Sequence, residues 1–499
     1  MIPLQFPASE RFDALRGRLD EWGYTESALC ERMKFAELCA FRPPDPGSEL
    51  GPLNDAADVL RGLFLDHAPI ARKLVHQWLG DGVGLLEEFG LLRADPRDAQ
   101  ASLGTVMLYP TQGMFIASDR GWEPGIDKAE MFSSDVVFSA ITPNTYQFMN
   151  SLPKTPCGRL LDLCAGSGVA GLLAASIYAK SVWLCDITER STRFAEWNAR
   201  LNGIKNVTTL QGDLYEPVKG EKFDRIVAHP PYVPATETKY VFRDGGEDGE
   251  QVTRRIIEAL PEYLAPGGQC FLVAAVTDRA GAPFEQRVRQ MLGKSAGEFD
   301  VFVAVRNHCK PTEFLIKEHP NRERPEELAA NVAAMARLGV EHILYCSTGI
   351  QRRASKRDVF TVRRQVTVFP GDLMAWAMRW ETAQREPGFA KTLFHTSPRI
   401  IEQLRLQVTH RIQDGKWTIA DSKLLTGYPY QTAVDCPSWV VNMLEECDGT
   451  RTVRALLNEC RENGTVPSNA PDAEFARFVQ FLISMGLMEI EEHRLPKRR

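Results

Sequence analysis

The chain reads as an α/β protein built on a Rossmann-like sheet, and three features carry that expectation. An apolar run at 159–164 passes into a glycine loop and then into helical sequence at 169–178. A second strand, 181–185, ends in Asp186, and a third, 207–210, ends in Gln211-Gly212-Asp213-Leu214. A fourth, 223–228, runs into His229-Pro230-Pro231-Tyr232. Strands alternating with helices, each closing on a polar or glycine-rich loop, predict a doubly wound sheet with its ligand at the carboxyl edge.

Each loop suits one contact. Gly166 and Gly168 let the backbone approach a ligand closely. The spacing Gly166-x-Gly168-x-x-Gly171 also fits a dinucleotide fingerprint, so the spacing alone does not name the ligand. Asp162 inside the strand makes the distinction. A carboxylate there is placed to organise the loop and to attract the cationic amino-acid half of S-adenosylmethionine, whereas a pyrophosphate would be repelled. Asp186 is placed to accept the ribose hydroxyls, and Asp213 to accept from an adenine amino group. The residues themselves thus offer Asp162, Gly166, Gly168, Asp186 and Asp213 as candidate cofactor contacts.

At the fourth strand end, two prolines fix the backbone and remove two amide donors, which leaves the His229 and Pro230 carbonyls as acceptors. Tyr232 adds a flat face for a planar substrate. With the glycine loop before it, this segment resembles the HemK-like branch of class I methyltransferases, over roughly residues 130–280. The family carries Asn-Pro-Pro-Tyr or Asp-Pro-Pro-Tyr here and methylates planar nitrogens of glutamine side chains or nucleobases. The resemblance implies a seven-stranded methyltransferase sheet ending in an antiparallel hairpin and S-adenosylmethionine as cofactor. It further implies Asp162, Cys164, Ala165, Gly166, Gly168, Asp186, Ile187, Asp213, Leu214 and His229 as cofactor contacts, and His229, Pro230 and Tyr232 as catalytic residues. His229 departs from the family. A neutral imidazole offers one acceptor and one donor on opposite ring edges. Its ordinary pKa of roughly 6.5 also suits a general base. The next segment, 240–250, is acidic and glycine-rich; its glycines suggest a bent or mobile lid and its charge disfavours a nearby phosphate backbone, whereas the resemblance implies a structural role for a similar Asp-Gly-Gly segment.

The remaining composition limits the alternatives. With 499 residues and a net charge of -6, the chain has ample length for several domains and no global basic field for nucleic acid. Eleven cysteines without a CxxC pair read as reduced thiols of a cytoplasmic protein, and no zinc ligand set or other metal motif is visible. The N-terminus lacks signal-peptide character, and no run is apolar enough to span a membrane.

Three regions are expected. Residues 1–125 form a helical, winged-helix-like domain, with a Pro/Gly break at 43–51 and a hairpin at 105–118. Residues 126–350 form the catalytic domain, with a charged insert at 318–327. Residues 351–499 hold a strand near 359–369, a hairpin turning at Asp414-Gly415, a second winged-helix-like pattern and a basic tail at 494–499. This tail region also resembles, weakly, small domains that bind leader peptides. The leading expectation is methyl transfer to a planar nitrogen of a protein, peptide or small molecule. The alternatives are a nucleic-acid N-methyltransferase, which requires a basic channel beside Tyr232, and a non-catalytic cofactor-binding interaction protein.

Overall fold

The structure, a computed structural model, describes residues 2–42, 44, 50–120, 133–318, 325–368 and 370–496. The expected boundary at 125/126, most of the break at 43–51, the middle of the charged insert and the end of the basic tail lie outside the described residues.

The N-terminal part opens with α1 (Ser9–Glu21), which buries Phe12, Leu15 and Leu19 along one face, and α2 (Glu26–Met33), capped by the Thr25 side chain. Then come α3 (Ala56–Phe64), β1 (Ile70–Ala71), α4 (Arg72–Leu79), α5 (Gly82–Glu88), β2 (Leu92–Asp95) and β3 (Asp98–Gly104). Their sheet order is β1-β3-β2, so β1, which precedes α4, pairs with the hairpin β2–β3 that follows α5. A separate hairpin, β4 (Met107–Thr111) with β5 (Met114–Ser118), is buried at every strand residue. Its own sequence cannot satisfy two buried faces, and Asn198 and Asn202 supply partners to Ala117 and Phe115.

After α6 (Pro143–Ser151), the central sheet is built from β6 (Cys157–Leu163), α7 (Val169–Ile177), β7 (Ala179–Asp186), α8 (Glu189–Leu201), β8 (Val207–Gln211) and β9 (Phe223–Ala228). It continues through α9 (Gln251–Tyr263), β10 (Leu264–Arg279), α10 (Phe284–Met291), β11 (Phe299–Cys309), α11 (Pro311–Glu318), α12 (Pro325–Arg337) and β12 (Val340–Arg352). The order across the sheet is β8-β7-β6-β9-β10-β12-β11, with β12 antiparallel to both neighbours. An eighth strand, β13 (Thr361–Gln365), adds in parallel beside β11. The sheet thus exceeds the expected seven strands, because the alternating run near 359–369 pairs with β11 instead of starting a separate module.

Alternate residues of the strands feed two cores. Leu160, Val182, Leu184, Val227 and Phe271 join the N-terminal modules, α7 and α8 on one face; Leu161, Leu163, Cys185, Ile226 and Leu272 pack under α9 and α10 on the other. The strand order reverses between β6 and β9, whose ends lie side by side, with Leu163 opposite Ala228. That switch point is where a doubly wound sheet opens a crevice.

The C-terminal part contains α13 (Gly371–Ala383), α14 (Phe389–Leu393), β14 (Arg399–Ile400), β15 (Arg405–Gln413), β16 (Lys416–Thr426) and β17 (Thr432–Asp435). It ends with α15 (Ser438–Glu445), α16 (Val453–Glu462), α17 (Asp472–Ser484) and β18 (Met488–Glu489). Trp376 and Trp380 of α13 are buried, and the Trp380 indole donates to Ser484 Oγ at 2.7 Å, which ties α13 to α17. Asp414 and Gly415 both take positive φ at the tip of the β15–β16 hairpin, as a two-residue primed turn requires. No described helix is long and apolar enough to cross a membrane. All eleven cysteines are free, and seven are buried.

Candidate active site

The glycine loop leaves β6 with Cys164, Gly166 and Gly168 all at positive φ. A Cβ on Gly168 would sit 3.0 Å from both Ala195 Cβ and Leu184 Cδ1, so glycine is needed there on conformation and on space. Asp162 lies behind the loop, 1% exposed, and its Oδ2 accepts from the Gly171 amide at 2.8 Å in the first turn of α7. Burial pushes its carboxyl up to about 8. At neutral pH it therefore organises the loop by hydrogen bonding and does not present the fixed negative charge expected from the sequence. Cys164 is held as a thiol, its pKa raised by burial and by Asp186, Asp162 and Asp213.

Asp186, at the end of β7, faces the same loop. Its Oδ2 accepts from the Gly166 amide at 2.9 Å, and its Oδ1 accepts from the Thr188 amide at 3.1 Å. Burial raises its carboxyl above the usual range. Ile187 follows with 49% of its surface exposed, an apolar face beside the loop. Asp213 pairs at 2.8 Å with Arg255 of α9, a partner that the sequence reading missed because nothing local links the two. Leu214, at positive φ, is buried beneath them.

At the end of β9, the His229 ring lies between Phe148 of α6, with centroids 5.2 Å apart, and Tyr232, 5.6 Å away. Tyr232 Oη accepts from Asn144 Nδ2 at 2.8 Å. The amphipathic α6 thus supplies two residues that set the geometry of this loop from about eighty residues upstream. Burial pulls the His229 imidazole down to about 4, and its Nε2 is buried with no hydrogen-bond partner among the described residues. A ring this hard to protonate is a neutral hydrogen-bonding group near pH 7; it is not the well-matched general base that its ordinary pKa suggested.

The acidic segment after Tyr232 is a scaffold, not a lid. Val233 donates to the Arg243 carbonyl and Gly245 to the Val233 carbonyl, both at 2.9 Å, and a Cβ on Gly249 would lie 2.5 Å from the Tyr232 carbonyl oxygen. Three of its acids are buried, while Glu247 is exposed and pairs with Arg337. Asp244 accepts from the Lys239 and Tyr240 amides, Asp248 pairs with Arg254 and Arg279, and Glu250 pairs with Arg287. The negative charge that was expected to repel phosphate is therefore largely neutralised. Helices α11 and α12 brace the same segment, through Asn331 Oδ1 on the Thr236 amide at 3.1 Å and Arg243 on the Glu318 carbonyl at 2.7 Å. An open cleft of about 670 Å³ lined by Arg254, Arg279, Arg287 and Gln290 lies behind this scaffold, and no glycine-loop residue lines it.

The buried β4–β5 hairpin meets the cofactor loop through α8. Asn198 accepts from the Ala117 amide at 2.7 Å, and its Nδ2 donates to the Ala117 carbonyl at 3.0 Å and to the Ser167 carbonyl at 2.9 Å. Asn198→Ala strands three buried backbone groups, so a loss of roughly 2–4 kcal/mol in unfolding free energy is expected by chemical denaturation. A several-fold weaker cofactor affinity is expected with it; unchanged affinity would mean that the hairpin does not support the loop. Among the described residues, no cluster of three or more His, Cys, Asp or Glu is arranged to hold a metal ion.

The strand order, the antiparallel β12 and the two loops at the switch point define a class I, Rossmann-like methyltransferase fold. Residues 127–301 match the family model described as the methyltransferase small domain. The chain is 38% identical over 127 residues to a ribosomal protein uL3 glutamine methyltransferase of Bradyrhizobium diazoefficiens, covering 23% of this chain and 40% of that protein. It is 36% identical over 115 residues to a putative protein N5-glutamine methyltransferase of Methanocaldococcus jannaschii, covering 22% and 57%. A release factor glutamine methyltransferase of Moorella thermoacetica is 33% identical over 166 residues, covering 30% and 58%. The chain spans about half the length of these relatives.

Proposed function

We propose that the protein is an S-adenosylmethionine-dependent methyltransferase that modifies a planar nitrogen of a protein, with a glutamine side-chain amide as the first candidate acceptor. The observation that carries this reading is the adjacency of the glycine loop and the His-Pro-Pro-Tyr loop at the ends of neighbouring strands β6 and β9. The residues present fit the cofactor: a glycine cradle at 166 and 168, a ribose acceptor in Asp186, an exposed apolar face in Ile187 and a carboxylate in Asp213. S-adenosylmethionine, when bound, supplies a methyl group on an already activated sulfonium.

What remains for the chain is alignment and exclusion of water. Tyr232, fixed by Asn144 and by the scaffold behind it, offers a planar face to the acceptor. His229 replaces the carboxamide or carboxylate of relatives, and as a neutral imidazole it orients the acceptor nitrogen by hydrogen bonding, with water taking the departing proton. The glutamine acceptor is supported by the names of the relatives. The test is labelled methyl transfer to purified ribosomal protein uL3, a release factor and total RNA, followed by peptide mass spectrometry. A methylated glutamine is the expected product; label in RNA alone would replace this reading with the nucleic-acid one.

His229→Ala is expected to leave cofactor affinity within about twofold and lower turnover roughly 10- to 100-fold, while His229→Asn restores most of it. The parent enzyme's rate is expected to show no inflection near the ordinary histidine pKa of roughly 6.5, falling instead near 4. The same shift makes the folded state the weaker proton binder. The stability it contributes is whole above roughly 6.5 and is lost as the pH falls toward 4. A histidine-dependent inflection near neutrality would reinstate the general-base role.

A further inference from the structure

Among the described residues, the most exposed large apolar side chains cluster on the β15–β16 hairpin. All nine residues of β15 are exposed, and Trp417, Ile412 and Ile419 are 70%, 63% and 57% exposed. Cross-strand pairing puts Leu406 opposite Leu424, Val408 opposite Ser422, His410 opposite Ile419 and Ile412 opposite Trp417. Residues paired in this way share a face, so the ribbon carries one apolar side. Its other side carries Arg405, Arg411, Lys416 and Lys423 against Asp421. Between Gln403 and Gln413 there is no acid, in a chain whose net charge is -6. The hairpin turns β15 outward as the edge of its sheet, in the order β15-β16-β17. Every second residue of that edge directs its amide and carbonyl away from β16.

We propose that β15 and the apolar face of its hairpin dock an extended segment of a partner protein in which apolar and acidic residues alternate, added as a further strand beyond β15. Three properties select this occupant. An extended chain satisfies the open backbone edge, alternate apolar side chains continue the face that holds Ile412 and Trp417, and the intervening acids meet Arg405 and Arg411. A second copy of the chain brings the same cations; two-fold antiparallel pairing centred on Val408 would set Arg405 against Arg411. A bilayer would accept the apolar face but would leave the edge amides and carbonyls without partners. The inference goes beyond the methyl-transfer reading and stands without it.

The test uses the full chain and a phage-displayed library of random peptides long enough to span β15. Enrichment of sequences alternating apolar and acidic residues is expected. Synthetic copies of those peptides should bind less tightly as salt is raised, should slow amide hydrogen exchange in β15, and should bind roughly tenfold or more weakly to Arg405→Glu/Arg411→Glu and to Ile412→Asp/Trp417→Asp. These positions are exposed, so unchanged thermal unfolding and unchanged cofactor affinity check that the variants fold. The proposal is overturned if no alternating sequence is enriched, or if the peptides bind the variants as well as the parent. It is equally overturned if light scattering finds a dimer that Trp417→Asp dissolves, or if the hairpin instead sediments with phosphatidylglycerol vesicles.

Discussion

Asp186→Ala is expected to weaken S-adenosylmethionine and S-adenosylhomocysteine binding by roughly a hundred- to a thousandfold, measured by calorimetry. Two losses combine. The carboxylate available to the ribose disappears, and so does the acceptor that holds the Gly166 amide at 2.9 Å and the Thr188 amide at 3.1 Å. A hydrogen bond to a charged group contributes about 1.5–3 kcal/mol, and each 1.4 kcal/mol is about tenfold in affinity, so two such bonds account for the expected range. Asp213→Ala should cost less, because Asp213 is partly exposed and already paired with Arg255. Equal losses for the two variants would place the adenine carboxylate on a par with the ribose one. An Asp186→Ala protein that folds and binds as the parent does would remove the glycine loop from the cofactor site altogether.

The difference between Asp186 and Asp162 shows how far a sequence pattern carries. Both acids sit at fixed distances from the glycines, and the chain spacing places both at the loop. Their environments differ because Asp162 lies inside the sheet, where burial brings its carboxyl to about 8. Burial of that kind is set by strands packed on either side and leaves no local signature. The same holds for Asn144 and Phe148 on α6, for Arg255 opposite Asp213 and for Asn198 beneath Ser167, since each contact joins segments far apart in the chain. Strand ends, glycine turns and the proline pair were legible because their chemistry is complete within a few residues. The 240–250 segment misled for the complementary reason. Glycines and acids in series have the composition of a solvated loop, and it is the distant Arg279 and Arg287 that help turn Asp248 and Glu250 inward.

Glu250 gives that inward turn its largest measurable consequence. It is fully buried, accepts from the Thr277 amide at 2.5 Å and the Thr277 hydroxyl at 2.8 Å, and pairs with Arg287, itself 6% exposed. Glu250→Ala leaves the Arg287 guanidinium buried without its carboxylate, a situation that costs about 3–5 kcal/mol in unfolding free energy. Replacing both partners together, as Glu250→Leu/Arg287→Met, removes the stranded charge, so much of that loss should be recovered in the denaturant midpoint. Activity should respond in a particular way. Gly249, adjacent to Glu250, abuts the Tyr232 carbonyl, whereas the glycine loop leaves a different strand and has its own supports in Asp186 and Asn198. Under conditions where Glu250→Ala remains folded, turnover should therefore fall while cofactor affinity holds. A parallel loss of cofactor affinity would mean that the acidic segment supports the whole crevice, and that His229 and Tyr232 are not positioned separately from the glycine loop.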